Sequence, residues 1–525
     1  MKVWCGDIKT FGRTTIYANY TEEQILSAND SRLKKIVIDI ISNSASIHDS
    51  NNAETIYWKN FLYGDQDIYR TKIKHTRPEI NNTSVENWAW ALVDFKKAFL
   101  VGKPIQYVQL DESSEELSIL NRYCKYVYKQ ALDLDAYGDV LTCGRAFRYI
   151  NKNAKFDPDE DNSPFELLNC LSENTEVVYS SRLGNEQLLS YIVTDMEFID
   201  TSLDEQETKY YKEYTVYTRT KRLVVNNKFG DFTIVGKIDP LSWNEHIIIE
   251  YFTNPKRISM LELGRDLFND INYLESMDKD DMEQFVNAIM VFTNAAVSKE
   301  TFDEIKQLGA VNISSTENKK ASVELLQARL NATDTQTYYN RLLNSLHQIL
   351  GIPMASDSGT VTYGDTGKAK MTGQGYTSAG IRAENDETML GKCDRSALKV
   401  MLKIARETES SEIKSLKVAN IDLKFQRDMS DNLLVKTQAL LNMYSADIPR
   451  EFANSIVNLF SDPTAITKQQ ESLFGEQISQ QSGKNSAAET GSRPTNESSR
   501  SSAQNTAEDQ VNTITNTMQK DLQGA

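Results

Sequence analysis

Between residues 176 and 252 apolar side chains alternate with polar ones, whereas on either side of that block they recur every three or four positions. This switch of period constrains the fold most, because strand side chains alternate between two faces while helical ones return to one face with each turn. Runs such as Tyr214-Thr215-Val216-Tyr217-Thr218 and Ile247-Ile248-Ile249-Glu250-Tyr251-Phe252 are rich in β-branched and aromatic residues, and Asn226-Asn227-Lys228-Phe229-Gly230-Asp231 separates two runs as a turn. The block therefore predicts an antiparallel sheet set between helical regions. With 525 residues the chain is too long for one core, so an α+β fold of several structural regions is expected.

Ahead of the sheet, Thr21-Glu22-Glu23-Gln24 carries a capping-box pattern before Ile25 and Leu26 and predicts a helix over residues 21–41, within an otherwise polar stretch 1–52. Ile56, Tyr57, Trp58, Phe61 and Leu62 predict a short amphipathic helix over 53–62 that breaks at Gly64. Trp88, Leu92, Phe95 and Phe99 mark a helix over 85–100, stopped by Gly102-Lys103-Pro104, and the aromatic members of that stripe are read as core rather than as a stacking platform. A tyrosine-rich helix over 115–132 leads through Tyr137-Gly138 into a strand at 145–150.

Behind the sheet, Met260, Leu263, Leu267, Ile271 and Leu274 form a helical stripe, with the carboxylates Glu262, Asp266, Asp270, Glu275 and Asp278 on other faces. Tyr338, Leu342, Leu346 and Ile349 form a second stripe that ends at Gly351-Ile352-Pro353. Residues 354–380 are the most glycine-dense part of the chain and so the place where backbone freedom is concentrated. A helix over 383–407, a strand over 418–427 and helices over 431–444 and 449–460 are expected next. From about residue 476 the chain is Ser, Gln, Asn, Thr and Gly with too little apolar surface to offset chain entropy, which predicts a disordered tail.

The sequence argues against several chemistries. A formal charge of −16 disfavours a protein that grips nucleic acid by its phosphates and suits one past which nucleic acid slides, because an acidic lining repels phosphate. No run approaches the ~18 apolar residues of a spanning helix, and the N-terminal residues lack a signal-peptide core, so the protein is expected to stay where it is made and to have no membrane partner. Cys5, Cys124, Cys143, Cys170 and Cys393 are scattered and predict reduced thiols; His48, His75, His246 and His347 stand at no metal-ligand spacing. Gly364-Asp365-Thr366-Gly367-Lys368-Ala369 fails as a phosphate loop, since Thr362 stands where the first glycine belongs and Ala369 where Ser or Thr would hold magnesium. Gly373-Gln374-Gly375-Tyr376-Thr377-Ser378 lacks the third glycine of a dinucleotide fingerprint. Asp278-Lys279-Asp280-Asp281 and Asp157-Pro158-Asp159-Glu160-Asp161 read as a solvated helix end and a solvated loop rather than as cation sites. No enzyme activity, cofactor or metal is expected.

Val93-Asp94-Phe95-Lys96-Lys97-Ala98-Phe99-Leu100-Val101-Gly102-Lys103-Pro104-Ile105-Gln106-Tyr107 resembles the portal, or head-to-tail connector, family of tailed bacteriophages, in which a helix is followed by a Gly-Lys/Asn-Pro-Ile-x-Tyr turn. Phe61-Leu62-Tyr63-Gly64-Asp65-Gln66-Asp67-Ile68 is similar to that family's Tyr-Tyr-x-Gly entry motif, and Tyr137-Gly138-Asp139-Val140 also resembles the family. Glu250-Tyr251-Phe252-Thr253-Asn254-Pro255-Lys256-Arg257 resembles its strand-to-stem junction and Asp270-Ile271-Asn272-Tyr273-Leu274-Glu275-Ser276 its first stem helix, all in family order over about residues 53–470.

The resemblance implies a portal fold: an N-terminal extension 1–52, a mixed α/β wing 53–257, stem helices 258–282 and 333–353, an inserted α/β clip 283–332, a tunnel-loop region 354–382, a long helix and wing strand 383–430, a helical crown 431–475 and the tail 476–525. It implies a homo-oligomeric ring, in this family usually of twelve subunits, at one capsid vertex of the virion after assembly in the host cytoplasm. Double-stranded DNA would pass through the ring; the alternative readings are another non-enzymatic virion or scaffold component and, behind it, a magnesium-dependent nuclease working through paired carboxylates. The partners implied are the terminase large subunit, the major capsid and scaffolding proteins, and a head-completion or adaptor protein. The DNA-facing candidates in the tunnel loop are Thr360, Val361, Thr362, Tyr363, Asp365, Thr366, Lys368 and Lys370, and the acidic channel-lining candidates on the stem are Glu262, Asp266, Asp270 and Glu275.

Overall fold

The computed structural model describes residues 12–74, 78–109, 115–200, 207–228, 230–241, 243–286, 289–293, 322–326, 332–354, 376–427, 433–446, 448–450 and 453–454. The chain divides into two compact units, residues 1–430 and 431–525. In the first unit β1 (Ile16–Ala18) precedes α1 (Glu22–Leu26), α2 (Asp30–Leu62), α3 (Ile68–Thr71) and α4 (Trp88–Val101). After β2 (Gln106–Gln109) come α5 (Glu115–Tyr126) and α6 (Lys129–Cys143), then β3 (Ala146–Lys152), β4 (Phe165–Cys170), β5 (Thr175–Ser180) and β6 (Gln187–Asp200). β7 (Glu207–Tyr217), β8 (Lys221–Asn226), β9 (Thr233–Pro240) and β10 (Ile248–Tyr251) complete the strand-rich block. It is followed by α7 (Met260–Val286), the antiparallel pair β11 (Ile289–Thr293) and β12 (Ser322–Leu326), α8 (Ala332–Leu350), α9 (Tyr376–Glu407) and β13 (Ile421–Lys424).

Thr21 caps α1 as its sequence predicts, accepting from the Gln24 amide while the Gln24 side chain accepts from the Thr21 amide. The expected helix over 21–41 and the short helix over 53–62 need correction. The chain breaks at Ser27 to Asn29, where Asn29 caps a new helix, and α2 then runs unbroken to Leu62. Among the polar residues 42–52 that suggested a break, Ser44, His48 and Asn51 are buried on the side of the helix that meets the sheet: Ser44 accepts the Tyr191 hydroxyl, and Asn51 donates to Glu176. The expected boundary after residue 52 falls inside α2.

Alternation over residues 176–252 becomes a sheet in the order β1-β5-β6-β7-β8-β9, antiparallel except where β1 lies parallel to β5. Its inner face packs Val178, Leu189, Tyr191, Tyr214 and Val216 against Leu33, Ile36, Val37 and Ile40 of α2. A second sheet, β10-β3-β4, lies against the helices. β13 pairs antiparallel with β2, Leu423 opposite Tyr107, which closes the first unit on itself.

The larger core joins α2, α4, α6, α7, α8 and α9 through residues such as Trp58, Phe61, Val140, Phe268, Leu346 and Met401. The helix expected over 115–132 is interrupted: Tyr128 adopts a left-handed φ of 52° between α5 and α6, and Gly138 lies within α6, against the side chain of Lys97. Gly144 then ends α6 with φ +83°, where a β-carbon would lie 1.9 Å from the Arg257 carbonyl oxygen, so only glycine fits. α9 is fixed by a fully buried charge cluster, in which Asp394 meets Lys129 Nζ at 3.0 Å and the Tyr107 hydroxyl at 2.7 Å, while Asp133 takes Lys129 and Arg148. In the second unit α10 (Leu433–Ser445) packs Leu440, Met443 and Tyr444 around Ala453.

Candidate channel site

α7 begins with a capping box: Ser259 Oγ accepts the Glu262 amide at 3.1 Å and the Ser259 amide donates to Glu262 Oε2 at 3.2 Å. The Gly12 amide donates to the same oxygen at 2.9 Å, and the Arg13 guanidinium is wedged between Glu262 and Glu54. Glu262 is thus 4% exposed and neutralised within its own subunit. As a channel-lining candidate it is corrected: a carboxylate that caps its own helix and holds a buried arginine has no face left for a bore.

Further along, α7 buries a second polar row at helical spacing. Arg265 and Asn269 both donate to Asp67 Oδ2, at 2.9 and 3.0 Å, and the Tyr57 hydroxyl donates to Asp67 Oδ1 at 2.7 Å. Asn272 accepts the Glu86 amide at 2.8 Å and donates to Gln66; Ser276 accepts the Ser84 amide at 2.9 Å. Asp280 accepts from Lys72 Nζ at 2.8 Å and from the Asn82 amide at 2.7 Å. The segment between α3 and α4 is therefore clasped along α7. The reading of residues 278–281 as a solvated helix end fails at Asp280, which is fully buried. Burial alone would raise its pKa, but the Lys72 and Asn82 hydrogen bonds outweigh that and hold it below the usual carboxylate range.

The remaining carboxylates differ. Asp266 and Asp270 are exposed one turn apart beside Leu263 and Tyr273, which are 54% and 51% exposed, and neither aspartate has a cation within ion-pair distance among the described residues. Partial burial and then the charge of Asp266 push Asp270 upward. Glu275 pairs with Lys279 at 3.6 Å. Of the expected apolar stripe Met260 and Ile271 are buried and Leu267 and Leu274 pack against the core, but Leu263 faces out; Leu261 and Phe268 join the core instead, where Gly264 lets Phe268 and Leu346 close in.

α8 answers with leucines. Leu342, Leu343, Leu346 and Leu350 are buried, whereas Tyr338 and Ile349 of the expected stripe are 45% and 48% exposed. Gly264 meets Leu346 while the Tyr339 hydroxyl reaches Glu86, itself bonded to Asn272, so α8 runs antiparallel to α7. Gly351, with φ +67°, ends the helix where the sequence predicts. The tunnel-loop candidates Thr360, Val361, Thr362, Tyr363, Asp365, Thr366, Lys368 and Lys370 lie outside the described residues, as does the expected tail. Trp88, Phe95 and Phe99 pack partly buried against the core, Phe95 and Phe99 stacked at 5.7 Å.

Sequence reading missed the partners of α7: Arg13, Asp67, Lys72, Asn82 and Glu86 lie far from it in the chain and follow no period. The Ser259 to Glu262 spacing is the one local signal that could have flagged Glu262 as a cap. Among the described residues no helix is long and apolar enough to cross a membrane.

The family model for the phage portal protein, SPP1 Gp6-like, matches residues 42–483, and no curated protein matches the chain. That match begins within α2, takes in α7, β11, β12 and α8, and ends within the second unit. The chain belongs to the phage portal protein family, SPP1 Gp6-like, the structural head-to-tail connectors of bacteriophage virions.

Proposed function

We propose that this chain is the subunit of a twelve-membered ring at one capsid vertex, through which double-stranded DNA enters during packaging and leaves during ejection. The observation that carries this reading is the antiparallel pair α7 and α8, with Asp266 and Asp270 exposed and uncompensated on the outer face of α7, in a chain matched to portal proteins over most of its length. In this reading residues 258–282 of the α7 region and 333–353 of the α8 region are the stem, residues 283–332 the clip, 354–382 the tunnel loop, the chain from α2 to residue 257 with 383–430 the wing, and 431–475 the crown.

Ring closure makes each interface head-to-tail, so a surface of one subunit complements a different surface of the next. Uncompensated acid near the bore keeps phosphate moving instead of held. Terminase docks during filling and supplies the nucleotide chemistry; a head-completion protein replaces it; capsid and scaffolding proteins hold the rim. The chain itself has no catalytic role. Negative-stain electron microscopy with native mass measurement tests this: rings with a central hole are expected, and monomers under all assembly conditions would sink it. Cleavage of DNA by the purified protein with magnesium would overturn the non-enzymatic part.

A further inference from the structure

α9 presents Lys392, Arg395, Lys399 and Arg406 at helical spacing along the wall of a groove of about 1000 Å³, with Lys417, Leu423 and Phe425 across from them. Some of this charge is already matched. Arg395 lies 3.4 Å from Asp422 and Lys399 lies 3.1 Å from Glu245, and the groove's acids Glu384 and Glu387 are held by Arg427. Among the described residues Lys392 and Lys417 form no ion pair, and Arg406 bonds only the Leu402 carbonyl. The lining thus sets five cations, Lys392, Arg395, Lys399, Arg406 and Lys417, against three carboxylates, Glu384, Glu387 and Asp422, in a chain of charge −16.

The complementary surface is the loop between β3 and β4. Asp157, Asp159, Glu160 and Asp161 are all exposed and have no cation within ion-pair distance among the described residues. The loop is held in shape before any partner arrives: the Asp159 amide donates to Asp157 Oδ1 at 3.0 Å, the Asp157 amide to Asn162 Oδ1 at 3.3 Å, and Asn153 to the Ser163 carbonyl at 2.9 Å. Docking such a loop costs little ordering entropy. Among the described residues no ion pair joins loop and groove within one chain, and a head-to-tail interface needs two different surfaces that match.

We propose that the α9 groove receives the 157–161 loop of a second copy of this chain. The inference rests on the ring reading above. In the full-length protein, Lys392→Glu with Lys417→Glu lowers the fraction of assembled rings about tenfold at equal concentration and salt, because like charges meet across the interface. Asp159→Lys with Glu160→Lys does the same, and the four changes together restore rings. Carbodiimide coupling of wild-type rings built from mixed isotope-labelled copies joins Lys392 or Lys417 to a carboxylate of 157–161 across copies, a readout independent of how any variant folds. Rings that survive either reversal, a combined variant that stays unassembled, or coupling confined to one copy each overturn the inference and leave the ring reading standing. A groove variant that forms rings but no longer retains double-stranded DNA assigns the groove to nucleic acid and also overturns it. A wild-type protein that never forms rings removes the reading on which the inference rests.

Discussion

α7 and α8 pack on each other through apolar side chains, yet α7 buries a polar row in addition. α8 turns Leu342, Leu343, Leu346 and Leu350 inward, a surface whose burial is favourable in many registers. α7 buries Glu262, Asn272, Ser276 and Asp280, each matched to a particular donor or acceptor from residues 12–86. A one-turn slide of α8 would cost some packing; the same slide of α7 would strand several buried polar groups at once. The difference teaches that α7 is the indexed member of the pair. Its outward acids Asp266 and Asp270 are placed by bonds on the opposite side of the helix.

The largest break in that comparison is Asp280→Ala, which leaves Lys72 buried without its carboxylate and should cost about 4 kcal/mol in a denaturant melt. The same residue gives a pH signature. Its folded pKa is depressed, so its contribution is complete above its unfolded value of about 4 and fades as pH falls through the lower folded value. Asp280→Asn should therefore lose less stability than wild type over that acid range, as followed by circular dichroism. Leu346→Ala on the apolar helix should cost about 3 kcal/mol through the cavity it leaves. Ser276→Ala removes the acceptor of the Ser84 amide and should cost about 1 kcal/mol. Asp270→Asn, on the exposed face, should change stability by no more than about 0.5 kcal/mol, slightly for the better, because it relieves repulsion from Asp266. An Asp280 variant as mild as the Asp270 one would mean that α7 is not indexed by its polar face.

What was legible in the sequence follows from how local each signal is. The Thr21 cap, the period-two block and the stop at Gly351 depend on neighbours within a few residues, and each stands in the structure. The continuity of α2 was hidden because a helix facing a sheet through Ser44 and Asn51 has the composition of a surface loop. Glu262 and Asp280 were misread for the same reason: a charged residue looks solvated until its partners, Arg13 and Lys72, arrive from elsewhere in the chain. Asp266 and Asp270 kept their outward reading because none of the described residues brings a cation to them.

A reconstruction of the purified assembly by electron cryomicroscopy tests the central claim most directly. The account predicts a closed ring in which α7 borders the opening, Asp266 and Asp270 turn toward it, and Glu262 and Asp280 remain clasped by their own subunit. A ring whose α7 helices lie away from the opening, or whose Asp266 and Asp270 are buried against protein, would contradict it.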